Sequence, residues 1–370
     1  MDVLILAAGK GTRMKSRTPK VLFDIAGKPM LYWVIRCIKD LGEHNINVML
    51  GHEYESVKRS VSSFFDDVNF FEQKEQLGTG HAVMEYVRQR KEKGERLLVL
   101  CGDTPLLLTE EIDRFIIKHG CYDNVMSVMS TVPENPFGYG RVIKDGINIR
   151  CIVEEKDCSD NQRKVEEVNT GIYIIENSFL EENINRLDTD NAQKEFYLTD
   201  LVRLAHDDEK GVRSVITSPE HIMGVNNIYD LSLARKTIRK RICMRHMLNG
   251  VDIHDPDTVF IDDSVKIESD VTIHPFVILR GDTLIRSGCE IHPFTNICDS
   301  VLDDVRVDNS HITGAEIAQG STVGPYSRLR EGTEIEKDCR VGNFVETKKS
   351  VLHNGVKASH LSYIGDSDIG

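Results

Sequence analysis

Three basic residues, Lys10, Arg13 and Lys20, gather around two glycines, Gly9 and Gly11, just beyond an apolar run that begins at Val3. Glycines let backbone N–H groups turn toward an anion, and the cations add the charge a polyphosphate needs. Such a loop suits a nucleoside triphosphate. A P-loop requires four residues between its first glycine and a Gly-Lys-Ser/Thr, and a dinucleotide fingerprint requires a third glycine three residues after the second. Here Thr12, Arg13 and Met14 follow Gly11, so neither signature fits. On spacing alone an ordinary strand-to-helix turn stays open as the simpler reading.

Further chemistry-bearing segments lie downstream. Gly102-Asp103-Thr104-Pro105-Leu106 follows the apolar run 97–100, which places Asp103 at the carboxyl end of a central strand. Gln73-Lys74-Glu75-Gln76-Leu77-Gly78-Thr79-Gly80-His81-Ala82 precedes it. After it come Phe137-Gly138-Tyr139-Gly140-Arg141, Ile152-Val153-Glu154-Glu155-Lys156-Asp157, Asn169-Thr170-Gly171, Tyr197-Leu198-Thr199-Asp200 and Gly224-Val225-Asn226-Asn227. With Leu6-Ala7-Ala8-Gly9-Lys10-Gly11-Thr12-Arg13-Met14 and Pro19-Lys20, this set resembles the sugar-1-phosphate nucleotidyltransferases. Within them it resembles the bacterial N-acetylglucosamine-1-phosphate uridylyltransferases, whose members also carry a glucosamine-1-phosphate N-acetyltransferase. The resemblance covers nearly the whole chain. One departure is Cys101, where some family members carry tyrosine.

The resemblance implies a Mg²⁺-dependent transfer of a uridylyl group from UTP to N-acetylglucosamine 1-phosphate, giving UDP-N-acetylglucosamine and pyrophosphate for cell-wall precursors. A phosphate oxygen that is already anionic attacks the α-phosphorus in line, so the site needs positioning and charge neutralisation more than a general base. Asp103 and Asn226 match the family's metal ligands, hard oxygen donors of the kind magnesium prefers. Arg13 and Lys20 match the residues that hold the triphosphate and stabilise the leaving pyrophosphate. Leu6, Ala7, Ala8 and Gly9 line the nucleotide in that family. Gln73, Gln76 and Gly78 fall in its base-recognition segment, and an amide side chain offers the paired donor and acceptor that a uracil edge demands. Thr79, Gly140, Glu154 and Asn169 match the readers of the sugar. His81 reads as a packed residue at a helix start rather than a catalyst.

Composition sets limits. The chain has 370 residues, 40% hydrophobic and 28% charged, an ordinary globular balance with room for two cores. A formal net charge of −13 argues against a nucleic-acid surface, while a basic pocket in an acidic molecule remains compatible with a phosphate substrate. Nine cysteines without a Cys-x-x-Cys spacing indicate neither a zinc site nor a disulfide framework, which suits free thiols in a cytoplasmic protein. The apolar start lacks a basic leader, because Asp2 stands there, and no apolar run is long enough to span a bilayer.

The elements that must position these residues fall into two halves. Residues 1–227 alternate strand-like runs (1–7, 47–50, 97–100 and 124–130) with helical spacing at 30–41 and 109–119, as an α/β, Rossmann-like parallel sheet requires. Ligands in such sheets sit beyond the carboxyl ends of the strands, where the glycine loop and Asp103 both fall. Residues 228–250 read as an exposed linker helix, its basic residues a solvated face rather than an RNA or membrane surface. From 251 to 370 the chain repeats every six residues. Ile261, Ile267, Ile273, Leu279, Ile285, Ile291 and Ile297 hold the register, which returns at Ile317, Val323, Leu329, Ile335 and Val341. That period is the signature of a left-handed parallel β-helix of hexapeptide repeats; a β-sandwich would show a period of two. The stretch 299–314 breaks the register and reads as an irregular coil.

In the resembled family this β-helix forms a homotrimer and carries the acetyltransferase. Arg330, Lys348, His360 and Tyr363 match its sugar-phosphate and catalytic residues, with His360 the base. The sequence stops at Gly370, inside a hexapeptide. The coils that supply the family's acetyl-CoA groove lie beyond that point, so the acetyl transfer is expected to be incomplete here. Two alternatives accompany this reading: another sugar-1-phosphate nucleotidyltransferase with an attached β-helix, or a non-catalytic scaffold of the same fold. The segments around Gln73–Ala82 and Gly224–Asn227 favour the uridylyltransferase, and intact Arg13, Lys20, Asp103 and Asn226 weigh against a scaffold.

Overall fold

The computed structural model describes all 370 residues, which divide into two compact units. One comprises residues 1–24 and 29–234; the other comprises 25–28 and 235–370. No helix is long and apolar enough to cross a membrane.

The first unit is built on a nine-stranded sheet. Asp2–Ala7 lies at its centre, parallel to Asn45–Leu50 on one side and to Arg96–Cys101 on the other. Asn69–Glu72 extends the first side in parallel, and Val212–Ile216 pairs in parallel with Met126–Thr131 on the far side. Between Arg96–Cys101 and Met126–Thr131 runs Val168–Glu176, antiparallel to both. Sequence periodicity implied an all-parallel sheet; the inserted antiparallel strand makes it mixed, and it brings Asn169 to the carboxyl end of the central strands.

Strand residues alternate between two cores, as pleating dictates. Val3, Ile5, Leu98 and Leu100 join one cluster with Leu31, Ile35, Ile38 and Phe115 from the helices Met30–Lys39 and Thr109–Gly120. Leu4, Leu97 and Val99 join the other with Val83, Tyr86, Leu180 and Leu201 from Thr79–Gln89, Asn177–Asn183 and Asp200–Asp207. Both faces of the central strands are thereby covered, which explains why they read as continuous apolar runs rather than alternating ones.

The helix Ile228–Leu248 is not simply exposed. Leu231, Ala234, Ile238, Ile242 and Cys243 are buried, while Leu233 and Met247 face out. The apolar residues at three- and four-residue intervals thus form a packing stripe rather than a solvated spacer.

In the second unit three seven-stranded parallel sheets form the faces of the left-handed β-helix, each strand pairing with the third strand after it. Ile261, Leu279 and Ile297 stack in register on one face and Ile267, Ile285 and Leu302 on another. Each side chain stacks on its equivalent one turn away; five of the six are at most 2% exposed, and Ile267 is half-buried. The expected irregular coil at 299–314 is overturned: Val301–Leu302, Arg306–Val307 and His311–Thr313 are regular strands of the three sheets. Their inward residues Leu302, Val307 and Ile312 are buried and recur every five residues, not six. The corner of each shortened side is a single left-handed residue, Asp299, Asp304, Asn309 and then Gly314, with φ of 49°, 48°, 32° and 59°. Aspartate, asparagine and glycine tolerate that conformation best. One residue fewer at each corner shifts the phase without breaking the fold.

Candidate active site

The glycine loop leaves the carboxyl end of Asp2–Ala7 and closes into a 3₁₀ turn over Thr12–Met14, with Met14 N–H donating to Gly11 O at 2.9 Å. Met14 is buried and pins the turn. Gly11 has φ of 59°, and a Cβ there would stand 2.7 Å from Lys20 Cβ. The glycine therefore serves the left-handed turn and the close approach of Lys20 together. A Cβ on Gly9 would meet nothing within 4 Å, so open space faces the loop.

Lys20 passes beside Gly11. Its ammonium pairs with the Asp103 carboxylate, and the two side chains retain 12% and 28% exposure. The same ammonium lies 3.4 Å from Asn226 Oδ1, which also accepts a hydrogen bond from Arg13 Nη2 at 2.7 Å. Arg13, Lys20, Asp103 and Asn226, far apart in sequence, thus meet at the strand ends.

Backbone bonds hold Asp103 and Asn226 in place: Gly102 N–H donates to Leu6 O at 2.9 Å and Val225 N–H to Asp103 O at 2.8 Å. Asn226 N–H donates to Asp230 Oδ2, and Asp230 N–H to Asn227 Oδ1, both at 2.9 Å. This reciprocal arrangement at the start of the helix Ile228–Leu248 is close to a capping box. Asp230 was not among the sequence-derived site residues. The Asn227-x-x-Asp230 spacing was the signal that could have found it.

The oxygen donors of Asp103 and Asn226 are of the hard type that a divalent cation in a phosphate site takes. A Cβ on Gly224 would meet only Asn226 Nδ2 at 3.7 Å and Asp103 Oδ1 at 4.0 Å, both ordinary contacts, so the backbone leaves room beside these two side chains. The donor set fits a magnesium-type ion.

Gln76 lies against the same edge. A Cβ on Gly51 would fall 2.7 Å from Gln76 Nε2 and 2.8 Å from Ala8 O, which places the amide beside Ala8. Gln76 Nε2 donates to Gln73 O at 3.1 Å. Gln73 itself is buried, its Nε2 bonded to Gly78 O at 3.2 Å and 3.0 Å from His81 Nδ1. Gln73 therefore shapes the turn that begins Thr79–Gln89. His81 stacks on Phe196 with ring centroids 6.2 Å apart, in keeping with a packing role.

The remaining sugar-segment residues form a second connected group. Asn169 N–H donates to Gly140 O at 2.8 Å, and its Nδ2 donates to the Tyr173 hydroxyl at 2.6 Å. A Cβ on Gly140 would stand 3.3 Å from both Glu154 oxygens, so the glycine admits the carboxylate. Burial pushes the Glu154 carboxyl up from its ordinary value, opposed by a 3.4 Å hydrogen bond from Thr199 Oγ1. Glu154 opens into a cleft of about 320 Å³ shared with Asp157, Tyr197 and Asp200. Thr79 Oγ1 accepts from Leu198 N–H at 3.2 Å, tying the Gln73–Ala82 segment to the same wall. Cys101 lies behind Gly171: its thiol reaches Gly171 O at 3.5 Å and is pushed up to about 12 by burial, with Asp103 adding to the shift.

On the β-helix, Arg330 and Lys348 share a cleft of about 560 Å³ with His311, Arg328 and Glu331. Arg330 Nη1 pairs with Glu346 Oε1 at 3.0 Å. His360 and Tyr363 stand exposed on neighbouring strands and do not line that cleft.

Several known proteins are similar to this chain. Residues 3–148 match the MobA-like NTP transferase domain. "Bifunctional protein GlmU" of Trichlorobacter lovleyi is 41% identical over 372 residues, spanning 99% of this chain and 80% of that protein. The protein of the same name from Thermosipho africanus is 44% identical over 375 residues, spanning 100% of this chain and 80% of that protein. Among solved structures, HddC from Yersinia pseudotuberculosis aligns with a TM-score of 0.49 and 22% identity, over 64% of this chain and 99% of that one. Identity at the level of the two GlmU proteins, sustained through both units, makes this chain a member of the bifunctional GlmU family, nucleotidyltransferases that form UDP-N-acetylglucosamine.

Proposed function

We propose that the first unit transfers the uridylyl group of UTP to N-acetylglucosamine 1-phosphate, with Mg²⁺ held by Asp103 and Asn226. The observation that carries this reading is the meeting of Lys20 and Arg13 with those two oxygen donors beside the glycine loop. When bound, the ion supplies charge neutralisation between phosphates. The loop, Arg13 and Lys20 orient the triphosphate and stabilise the charge that develops on pyrophosphate as the sugar phosphate attacks in line. Gln76, with Leu6, Ala7 and Ala8, takes the base end, while Gln73 and Gly78 set the turn that presents it. Thr79, Gly140, Glu154 and Asn169 take the sugar.

The test is pyrophosphate release with Mg²⁺ and matched nucleotide–sugar pairs. UTP with N-acetylglucosamine 1-phosphate is the expected best pair. Equal or faster release with dTTP and glucose 1-phosphate points instead to another sugar-1-phosphate nucleotidyltransferase.

In the second unit, Arg330, Lys348 and Tyr363 are assigned to the phosphate and sugar of glucosamine 1-phosphate and His360 to its amine, for the acetyl transfer from acetyl-CoA that the full-length family carries out. Assembly as a homotrimer through the β-helix belongs to the same reading. It is supported by exposed aromatic pairs on the corners, Phe276 with Phe294 and Tyr326 with Phe344, each about half exposed. Light scattering tests it; a monomer at micromolar concentration rejects it. Nine free cysteines suit a reducing cytoplasm.

A further inference from the structure

Away from both clefts, the β-helix carries a column of histidines. His254, His274 and His292 follow the inward residues Ile253, Ile273 and Ile291 on three successive turns. The His254 and His274 rings are 4.4 Å apart at 65°, and those of His274 and His292 are 4.5 Å apart at 13°. Glu290 reaches into this column. Its Oε1 lies 3.5 Å from His274 Nε2 and 3.1 Å from His292 Nε2. Both Nε2 atoms are buried, and neither has a hydrogen bond of good geometry. The three donor atoms all lie within 4.8 Å of one another.

In a tetrahedral site with metal–ligand bonds of about 2.0–2.1 Å, neighbouring donors stand about 3.4 Å apart. The separations of 3.1 and 3.5 Å fall on either side of that edge length. Two imidazoles and one carboxylate form a set that borderline-soft divalent ions take, whereas magnesium and calcium favour all-oxygen sites. Arg306 Nη1 lies 3.5 Å from the other carboxylate oxygen, Oε2, which directs Oε1 toward the two imidazoles. His254 Nε2 faces Asp252 Oδ2 at 3.4 Å and stays outside the set.

We propose that His274, Glu290 and His292 bind a divalent transition-metal ion of the zinc class. Because His274 comes from one turn of the β-helix and Glu290 and His292 from the next, the ion staples two turns together. A ligand that binds only the folded turns stabilises them by mass action.

The experiment uses the full chain, stripped with chelator and kept in saturating Mg²⁺ so that the nucleotide site is not counted. Equilibrium dialysis against micromolar Zn²⁺ followed by metal analysis is expected to show one more equivalent in the wild type than in His292→Asn or Glu290→Gln. Affinity in each variant should fall at least about 100-fold, more than the loss of a supporting residue gives. Zn²⁺ should raise the unfolding temperature of the wild type only. Equal stoichiometry in wild type and variants overturns the proposal, provided uridylyl transfer and circular dichroism show the variants folded. Should both variants misfold, Co²⁺ added to the wild type decides. Intense visible d–d absorption of a tetrahedral N/O site supports the proposal; its absence, or a sulfur-to-cobalt charge-transfer band marking a cysteine site, overturns it.

Discussion

Arg13 Nη2 donates to Asn226 Oδ1 at 2.7 Å, across a sequence separation of 213 residues. The glycine loop is thereby tied to a residue proposed to hold the metal, and Lys20 pairs with the other such residue, Asp103. Arg13 and Lys20 thus contact the same oxygens that the proposed function assigns to a divalent ion. In the proposed function, nucleotide phosphates would offer Arg13 and Lys20 other anionic partners, leaving Asp103 and Asn226 to hold the ion.

Competition of this kind makes an asymmetric prediction for Lys20→Met. Without the ammonium, Asp103 loses its competitor, so Mg²⁺ binding without nucleotide should strengthen. Turnover should nevertheless fall about 10²–10³-fold, because the cation proposed to stabilise the departing pyrophosphate is gone. Calorimetric titration of Mg²⁺ into nucleotide-free protein measures the first effect, and pyrophosphate release the second. Unchanged or weaker Mg²⁺ binding would mean that Lys20 does not compete for Asp103.

Removing the carboxylate should act differently. Asp103→Ala deletes an oxygen donor and leaves Lys20 without its partner, so activity should nearly vanish at any Mg²⁺ concentration. Asn226→Ala deletes the second donor and frees Arg13, and should be rescued in part by raised Mg²⁺, since the carboxylate remains. Full activity of Asp103→Ala in Mg²⁺, or of the wild type in excess chelator, contradicts the metal assignment.

The fold and the charged site were largely legible in the chain because both are written locally. Buried strands such as Leu97–Leu100 are continuous apolar runs, and Arg13, Lys20, Asp103 and Asn226 each sit in a motif at a strand end. Nonlocal features were not legible. Nothing in the run 168–176 marks it as antiparallel between two other strands, since pairing partners depend on tertiary context. Gln73 has the chemistry of a base reader, yet only the fold shows its amide bonded to Gly78 and set against His81. The change from a six- to a five-residue step at Ile297 hid Leu302, Val307 and Ile312, although Asp299, Asp304 and Asn309 mark its corners at the same interval.

That hidden register has an energetic consequence. Leu302 and Ile285 are both fully buried on one face of the β-helix. Truncating a buried leucine or isoleucine to alanine removes transfer energy and leaves a cavity, at about 2–5 kcal/mol. Leu302→Ala should therefore destabilise the second unit as much as Ile285→Ala does, by an amount in that range. In an irregular exposed coil the cost would be below about 0.5 kcal/mol. Urea unfolding of the two variants side by side separates the cases.

Stability of the second unit should also depend on pH through His246. This imidazole is buried near the end of the helix Ile228–Leu248, and its Nε2 lacks a hydrogen-bond partner. Burial, with a smaller contribution from Arg245 and opposition from Asp263, pushes it down to about 4. In the unfolded chain the same group protonates around pH 6.5. Between those values the unfolded state binds more protons, so stability rises with pH across the window. The contribution is fully present above about pH 6.5 and is lost as pH falls toward 4. His246→Leu removes the titration while keeping the site apolar, and its unfolding temperature should vary less than that of the wild type over this window. Carboxylates titrating in the same range affect both proteins alike, so the difference between the two curves isolates the histidine. Parallel curves from pH 4.5 to 7 would show that His246 is not the source.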